Sequence, residues 1–563
     1  MVLSTLGQSF SFHSSPESFI SSRLQDLAIS DPEQLPSTTG KKNIVVASIL
    51  NRKVHIVSSY QLCKDILEAS SSASSSNLTP STITATAAGI FSQDVNPRSL
   101  DADILAAGPA YHQLMSDFFP PPNILLEDGT THAVHKRTWA DQLSTFACDS
   151  TPQIRQITEK HISSLLHPAT GGADGKVDLY ETLKSLAWEI LLSVFLDLSP
   201  SSSPEEFSQV ESLQETLLRG QFSLFPVSIN TRLWQSPRSK GIKARKDLQV
   251  NLGEIINRQE AGCPFLKQGA TSKEDAANHA LLFTSSLAVK ALASLLTAFV
   301  LNLYLWRDRG HGYMEDGDGI EEVKGPTTTS LAELIRSQGD LDAQARMLRS
   351  ILLETERLSP PIVGVMRRVQ RDIVLKPHQQ SYSQSETETP TSTATRNMNN
   401  SMTYPPPSPP PEGNAMHHAV PAGHDIWLYL SGASRDPTVF GNDADLFRFD
   451  RYMPSPSSSS STSNKDLHSH SDSDSFDPPP SLVFSAGPKT CLGTELVRQI
   501  VLTVGKAMVD VGVEMEGMVE DRGVRGWLGW DAGVQPEWVA KGMKQLPVQR
   551  PRVGVRVGIF RKG

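Results

Sequence analysis

At 563 residues, with 38% hydrophobic and 20% charged side chains, the chain is long enough to bury a large globular core, and length alone allows several domains. A formal charge of -9 without clustered Lys and Arg excludes a nucleic-acid footprint. The four cysteines, Cys63, Cys148, Cys263 and Cys491, stand too far apart for a metal knuckle or a dense disulfide framework, which points to a reducing compartment.

Residues 1–16 read as a polar N-terminal tail, in a Ser-rich start that has neither the basic flank nor the apolar centre of a signal peptide. No transmembrane anchor is evident there. Asn43 to Leu50 and Lys53 to Ser58 are β-rich runs split by Asn51-Arg52, the pattern of a hairpin, and Tyr60 to Ala69 reads as a helix. Helical spacing follows over Lys176 to Asp197, Ile242 to Gln259 and Leu331 to Leu358. Ala280 to Trp306 is apolar enough to resemble a membrane span, but Lys290 near its middle favours a helix through a soluble core. Ser70 to Thr82, Gln379 to Met416 and Pro454 to Pro480 are too polar and too rich in Ser and Pro to build a core, so they read as insertions. Arg552 to Phe560 alternates as a final strand. Helices dominate, with strands near both ends, which makes the fold class mainly α with a small β part (α+β).

The chemistry concentrates in Phe484-Ser485-Ala486-Gly487-Pro488-Lys489-Thr490-Cys491-Leu492-Gly493, followed by apolar residues at helical spacing from Leu496 to Val504. A glycine-punctuated loop thus delivers one cysteine to a helix N-terminus, where backbone N–H groups and the helix dipole favour thiolate over thiol. A thiolate suits iron as a fifth ligand, and the glycines let backbone approach a flat cofactor and aim amides at sulfur.

This loop resembles the cysteine loop of the cytochrome P450 family, Phe-x-x-Gly-x-Arg/His-x-Cys-x-Gly, at Phe484, Gly487, Cys491 and Gly493, with Lys489 where the family has Arg or His. Three further segments follow the family's order. Glu354-Thr355-Glu356-Arg357 is similar to its Glu-x-x-Arg helix. Asp436 to Tyr452 is similar to its Pro-Glu-Arg-Phe region and puts Arg451 against that pair. His132 with Lys136 looks like its His-x-x-x-Arg pattern. Arg367, after Pro360-Pro361, resembles the family's propionate-binding arginine, with Arg368 as an adjacent rival. The resemblance implies one P450-like domain over residues 17–563, minus the insertions. It also implies haem b ligated by Cys491, with Phe484, Gly487, Lys489 and Gly493 around the ligand and His132, Lys136 and Arg367 on the propionates. Glu354, Arg357 and Arg451 would form a structural triad.

The family's helix over the haem usually carries an acid followed by Thr to deliver protons during oxygen activation. Here no Asp or Glu occurs between Asp275 and Asp308. One register puts Leu287 and Ala288 at those positions, and others bring Ser294 or Thr297 there. The resemblance therefore implies a monooxygenase of a lipophilic small molecule in specialised metabolism, fed by NADPH through a reductase, with no residue assigned as catalytic. Alternatives are a haem-thiolate isomerase, dehydratase or cyclase needing no external electrons, or a haem-binding protein without turnover. The expected location is cytoplasmic or peripheral on the endoplasmic reticulum.

Overall fold

Asn51 takes the left-handed backbone conformation at φ 61°, so two β-branched runs fold back on each other as β1 (Ile44–Ile49) and β2 (Arg52–Val57), paired antiparallel from Ile44↔Val57 to Ile49↔Arg52. This hairpin is seen in a computed structural model that describes residues 2–29, 44–49, 51–69, 83–85, 104–166, 176–223, 228, 230–231, 234–259, 272–307, 329–375, 418–454, 479–517, 519–530 and 542–561. The insertions expected at Ser70 to Thr82 and Gln379 to Met416 lie outside the described residues, as does that at Pro454 to Pro480 apart from its ends.

Ahead of the hairpin lie α1 (Val2–Ser14) and α2 (Pro16–Ile29). The polar tail expected over residues 1–16 is therefore corrected. Phe12 is buried, with its ring edge-on to Phe19 at 5.7 Å and to Trp427 at 5.0 Å, because one aromatic at a helix turn is enough to dock an otherwise polar segment. Next come α3 (Tyr60–Ala69), β3 (Ile83–Ala85), β4 (Leu105–Ala106), α4 (Gly108–Met115), α5 (Gly129–Asp149) and α6 (Thr151–Leu165). The helix expected from Lys176 begins as strand β5 (Lys176–Asp178). Asp178 then accepts from the Tyr180 and Glu181 amides and starts α7 (Leu179–Leu196). The helices α8 (Pro204–Gln221) and α9 (Pro237–Gln259) form an antiparallel-style pair in which Gly220 and Gly241 meet backbone to backbone.

The long apolar helix is broken. α10 (Lys273–Phe283) ends at Thr284, and Ser285 restarts the chain by capping α11 (Ser286–Leu305), its hydroxyl accepting from the Ala288 amide. By length and composition this pair could cross a membrane, but most of it is packed inside the protein. Lys290 is offset by Glu215 of α8 at 2.7 Å. The segment from Leu331 is likewise two helices, α12 (Leu331–Ser337) and α13 (Leu341–Leu358), because Asp340 caps the second. The remainder is β6 (Gly364–Val369), β7 (Ile373–Leu375), β8 (His418–Val420), β9 (Asp425–Tyr429), α14 (Leu430–Ala433) and α15 (Pro437–Phe440). The C-terminal part contains α16 (Thr494–Val511), β10 (Val513–Glu516), α17 (Arg522–Leu528), β11 (Met543–Lys544), β12 (Arg550–Pro551) and β13 (Arg556–Arg561).

The main sheet runs β1-β2-β9-β6-β4 and a second runs β10-β13-β5. The largest core is helical and draws on α5, α6, α7, α11, α13 and α16, while α3 and the main sheet close two smaller cores. The observed class is mainly α with a small β part.

Where the main sheet meets β8, three imidazoles form a chain: His55 Nδ1 lies 2.8 Å from His418 Nε2, and His55 Nε2 lies 2.9 Å from His424 Nδ1. Neutral rings satisfy both contacts with one proton each, whereas extra protons set donor against donor. Burial first, then His418, His424 and Lys53, push His55 down to about 4. An ordinary unfolded histidine titrates near 6.5. The unfolded chain thus takes up the proton first, and the stability His55 contributes, present above about pH 6.5, is lost as pH falls toward about 4. The thermal midpoint should drop between pH 7 and 4.5 more in the wild type than in His55→Gln; equal slopes would refute this.

Candidate haem-thiolate site

Cys491 lies in the loop between a single 3-10 turn (Gly487–Lys489) and α16. Its amide donates to the Phe484 carbonyl at 2.8 Å, which closes the loop, and Thr494 Oγ1 donates to the Cys491 carbonyl at 2.8 Å. Cys491 is open to solvent at its surface, although protein packs densely around it. Burial pushes its thiol up, against the downward pull of the Gly493 amide, Lys136 and the Thr494 hydroxyl. The loop's own dipoles therefore do not outweigh burial. A coordinated metal would supply the positive charge that favours the thiolate.

The two glycines play different parts. Gly487 has φ +66°, and a Cβ there would lie 2.5 Å from the Leu67 carbonyl of α3, so this glycine serves close packing of the loop on α3 rather than approach to a cofactor. Gly493 has no such crowding, a Cβ meeting Cys491 Sγ at an ordinary 3.8 Å; its contribution is the amide aimed at sulfur.

Four basic groups converge near this loop. His132 and Lys136 lie one turn apart on α5, and Lys136 Nζ reaches the Pro488 carbonyl beside the cysteine. Lys489 pairs with Asp128 at 3.1 Å and also meets the Glu127 carbonyl. Arg367 of β6 is 2% exposed, and its Nε and Nη2 are buried with no partner among the described residues. Burial disfavours the charged form of all four, most visibly at His132, held down to about 4 by burial and then by Lys489 and Lys136. Cations crowded together with an orphaned guanidinium fit a dianion, and the two propionates of a haem meet that need. The rival Arg368 is otherwise engaged, its guanidinium forked onto Asp425.

Arg367→Ala is accordingly expected to weaken haem retention by about tenfold or more, the worth of a lost charge-assisted hydrogen bond. Arg368→Ala should lower stability with haem affinity unchanged. Haem transfer to an apo-acceptor protein measures both, and the reverse ranking would overturn the choice of Arg367.

Behind the loop, Glu354 and Arg357 form a fully buried fork, Nε to Oε2 at 2.8 Å and Nη2 to Oε1 at 2.7 Å. Arg451 Nε donates to the same Glu354 Oε1 at 3.1 Å. Arg357 also donates to the Ser434, Ala444 and Leu446 carbonyls, so one side chain pins the whole connection from α14 to Arg451. Glu356 and Arg498 escaped the sequence reading: Arg498 of α16 forks onto the buried Glu356 at 2.9 and 2.8 Å. The only signal was a second carboxylate in the Glu-x-x-Arg segment, indistinguishable by spacing from a solvated one.

Along α11 exposure picks out one face. Leu287, Ala288 and Ala291 are the residues left partly open between Ser286 and Tyr304, and they share one side of the helix. Ser294 is spent on the Gln549 carbonyl and Thr297 on its own helix at the Ala293 carbonyl. Both hydroxyls are thus already bonded, whereas Leu287 and Ala288 stand partly open. That open face carries neither acid nor hydroxyl.

Residues 414–504 match the family model for cytochrome P450. No curated protein matches the chain by sequence. Among solved structures, the retinoic acid-bound cyanobacterial CYP120A1 is similar with a TM-score of 0.55 at 16% identity, over 95% of this chain and 94% of that one. Cytochrome P450SP alpha (CYP152B1), in complex with (R)-ibuprophen, is similar with a TM-score of 0.55 at 13% identity over 99% of each chain. P450BioI, in complex with a hexadec-9Z-enoic acid-ligated acyl carrier protein, has a TM-score of 0.51 at 13% identity over 90% of this chain and 94% of that one. The cysteine loop thus lies inside the residues that match the cytochrome P450 model, and the chain shares the fold of these structures along nearly its whole length.

Proposed function

We propose that the protein is a haem-thiolate monooxygenase of a lipophilic small molecule, supplied with electrons from NADPH by a separate reductase. The observation that carries this reading is the solvent-open Cys491 beside four basic groups suited to haem propionates. Haem bound there would supply oxygen activation, with the thiolate's electron donation favouring O–O cleavage. The chain's own residues hold and orient. Cys491 is presented by the closed loop; Arg367, Lys136, Lys489 and His132 would hold the propionate edge; and Leu287, Ala288 and Ala291 offer a partly open apolar face. An apolar face suits a hydrocarbon substrate, in keeping with the retinoic acid and hexadecenoic acid held by structures of the same fold.

The test is product analysis by mass spectrometry with and without NADPH and a reductase. Oxygen incorporation that needs both supports the proposal. A second reading, a haem-thiolate isomerase, dehydratase or cyclase, is favoured by the absence of acid and hydroxyl from the open face of α11. A rearranged product formed without NADPH would select it, and haem binding with neither activity would leave a non-catalytic role.

That same face makes coupling testable. The wild type is expected to lose more electrons as hydrogen peroxide than a Leu287→Asp, Ala288→Thr double variant, which restores a proton route. Product per NADPH should rise about twofold or more at equal haem content, an order-of-magnitude figure for one general-acid route. A tightly coupled wild type would refute this.

A further inference from the structure

The Glu-x-x-Arg segment carries a second carboxylate that the triad does not use. Glu356 is fully buried, and two residues along a helix point it away from Glu354. Its partner Arg498 donates from Nε to Oε1 at 2.9 Å and from Nη2 to Oε2 at 2.8 Å. Arg498 belongs to α16, the helix that follows the cysteine loop, and its guanidinium lies over the Phe484 ring, 5.4 Å from the centroid. The Phe484 carbonyl in turn accepts the Cys491 amide at 2.8 Å. A continuous chain of contacts thus runs from α13 through Glu356, Arg498 and Phe484 to the cysteine.

Fold stability alone does not account for such a pair. Taking two charges out of water costs about as much as their attraction returns, and well-packed apolar replacements are often neutral or better. A planar guanidinium forked onto a carboxylate and stacked on a ring does fix position, and it places a balanced charge close to the ligand loop.

We propose that Arg498 and Glu356 are positioning residues for the thiolate ligand, holding Phe484 and balancing the charge behind Cys491 so that the pair sets the reduction potential of the bound haem. The inference rests on the haem-thiolate reading above. Reduction adds an electron beside an anionic ligand, so a cation left without its counter-ion favours the ferrous state.

The test is a spectroelectrochemical titration of the full-length, haem-loaded protein. Glu356→Gln removes the forked carboxylate from Arg498, leaving only the looser attraction of Glu495, and should raise the ferrous-to-ferric ratio at fixed potential by about tenfold, equivalent to about 59 mV for one electron. Adding Arg498→Gln to it restores neutrality and should bring the potential back toward the wild type, a reversal that a packing defect would not show. If Glu356→Gln does not hold haem, Glu356→Asp, which keeps the charge but cannot span the fork, should shift the potential in the same direction by less. No shift in the single variant, or a further shift in the same direction in the double, overturns the proposal. A wild type without the red-shifted reduced-CO band of thiolate ligation overturns the haem-thiolate reading itself. With that band present and the variants unshifted, only the positioning role falls.

Discussion

Cys491→Ser is expected to abolish the reduced-CO absorption band that lies well to the red of that from His-ligated haem. Oxygen ligation cannot reproduce the electron donation of sulfur, so the loss should be complete even where haem remains bound. The structure sharpens the expectation, because no other described cysteine competes. Cys63 is buried in α3 with its sulfur on the Val57 carbonyl, and Cys148 is exposed on α5. Burial raises the Cys63 thiol further, which makes it a poor ligand. The measurement is the reduced-CO difference spectrum of the purified variant. If the band survived, Cys491 would not be the iron ligand and the functional reading would fail with it.

Arg357→Met should be nearly as damaging, through folding rather than chemistry. The substitution keeps side-chain volume but leaves the Ser434, Ala444 and Leu446 carbonyls without their Arg357 donor and removes half of a fully buried ion pair. Breaking a buried pair from one side costs about 3–5 kcal/mol, far more than a surface pair is worth. For a domain of this size that corresponds to a fall of about 5 °C or more in thermal midpoint, with most of the protein recovered free of haem. Arg451 does not compensate, because it already serves Glu354, Asp443 and the Phe440 carbonyl. Thermal unfolding followed by circular dichroism, together with haem content per chain, decides the matter. A variant melting within a degree or two of the wild type with full haem would show that the connection from α14 to Arg451 is held by something else.

The sequence by itself determined the cysteine loop, the Glu354, Arg357 and Arg451 constellation, the basic pair on α5 and the hairpin at Asn51. The loop and the hairpin are local patterns whose chemistry follows from the residue types, whereas the constellation and the basic pair came from the resemblance to the cytochrome P450 family, since Arg451 stands 97 residues from Glu354. It did not determine which of Arg367 and Arg368 turns inward, since adjacent strand residues point to opposite faces and composition is blind to the choice; Asp425, 57 residues away, takes Arg368, while Arg367 keeps one bond to the Met366 carbonyl and has Nε and Nη2 without a partner among the described residues. Nor did it determine which face of α11 stays open, where periodicity in a mostly apolar helix is weak, and only packing showed Leu287, Ala288 and Ala291 open. The N-terminal residues looked like a tail because a single buried aromatic, Phe12, is too weak a pattern to stand out before Phe19 and Trp427 are in place around it. Glu356 and Arg498 stand 142 residues apart, and a fork between two helices has no signature along the chain. In each case the deciding energy is desolvation of a particular side chain by distant neighbours, a quantity that exists only once the chain has folded.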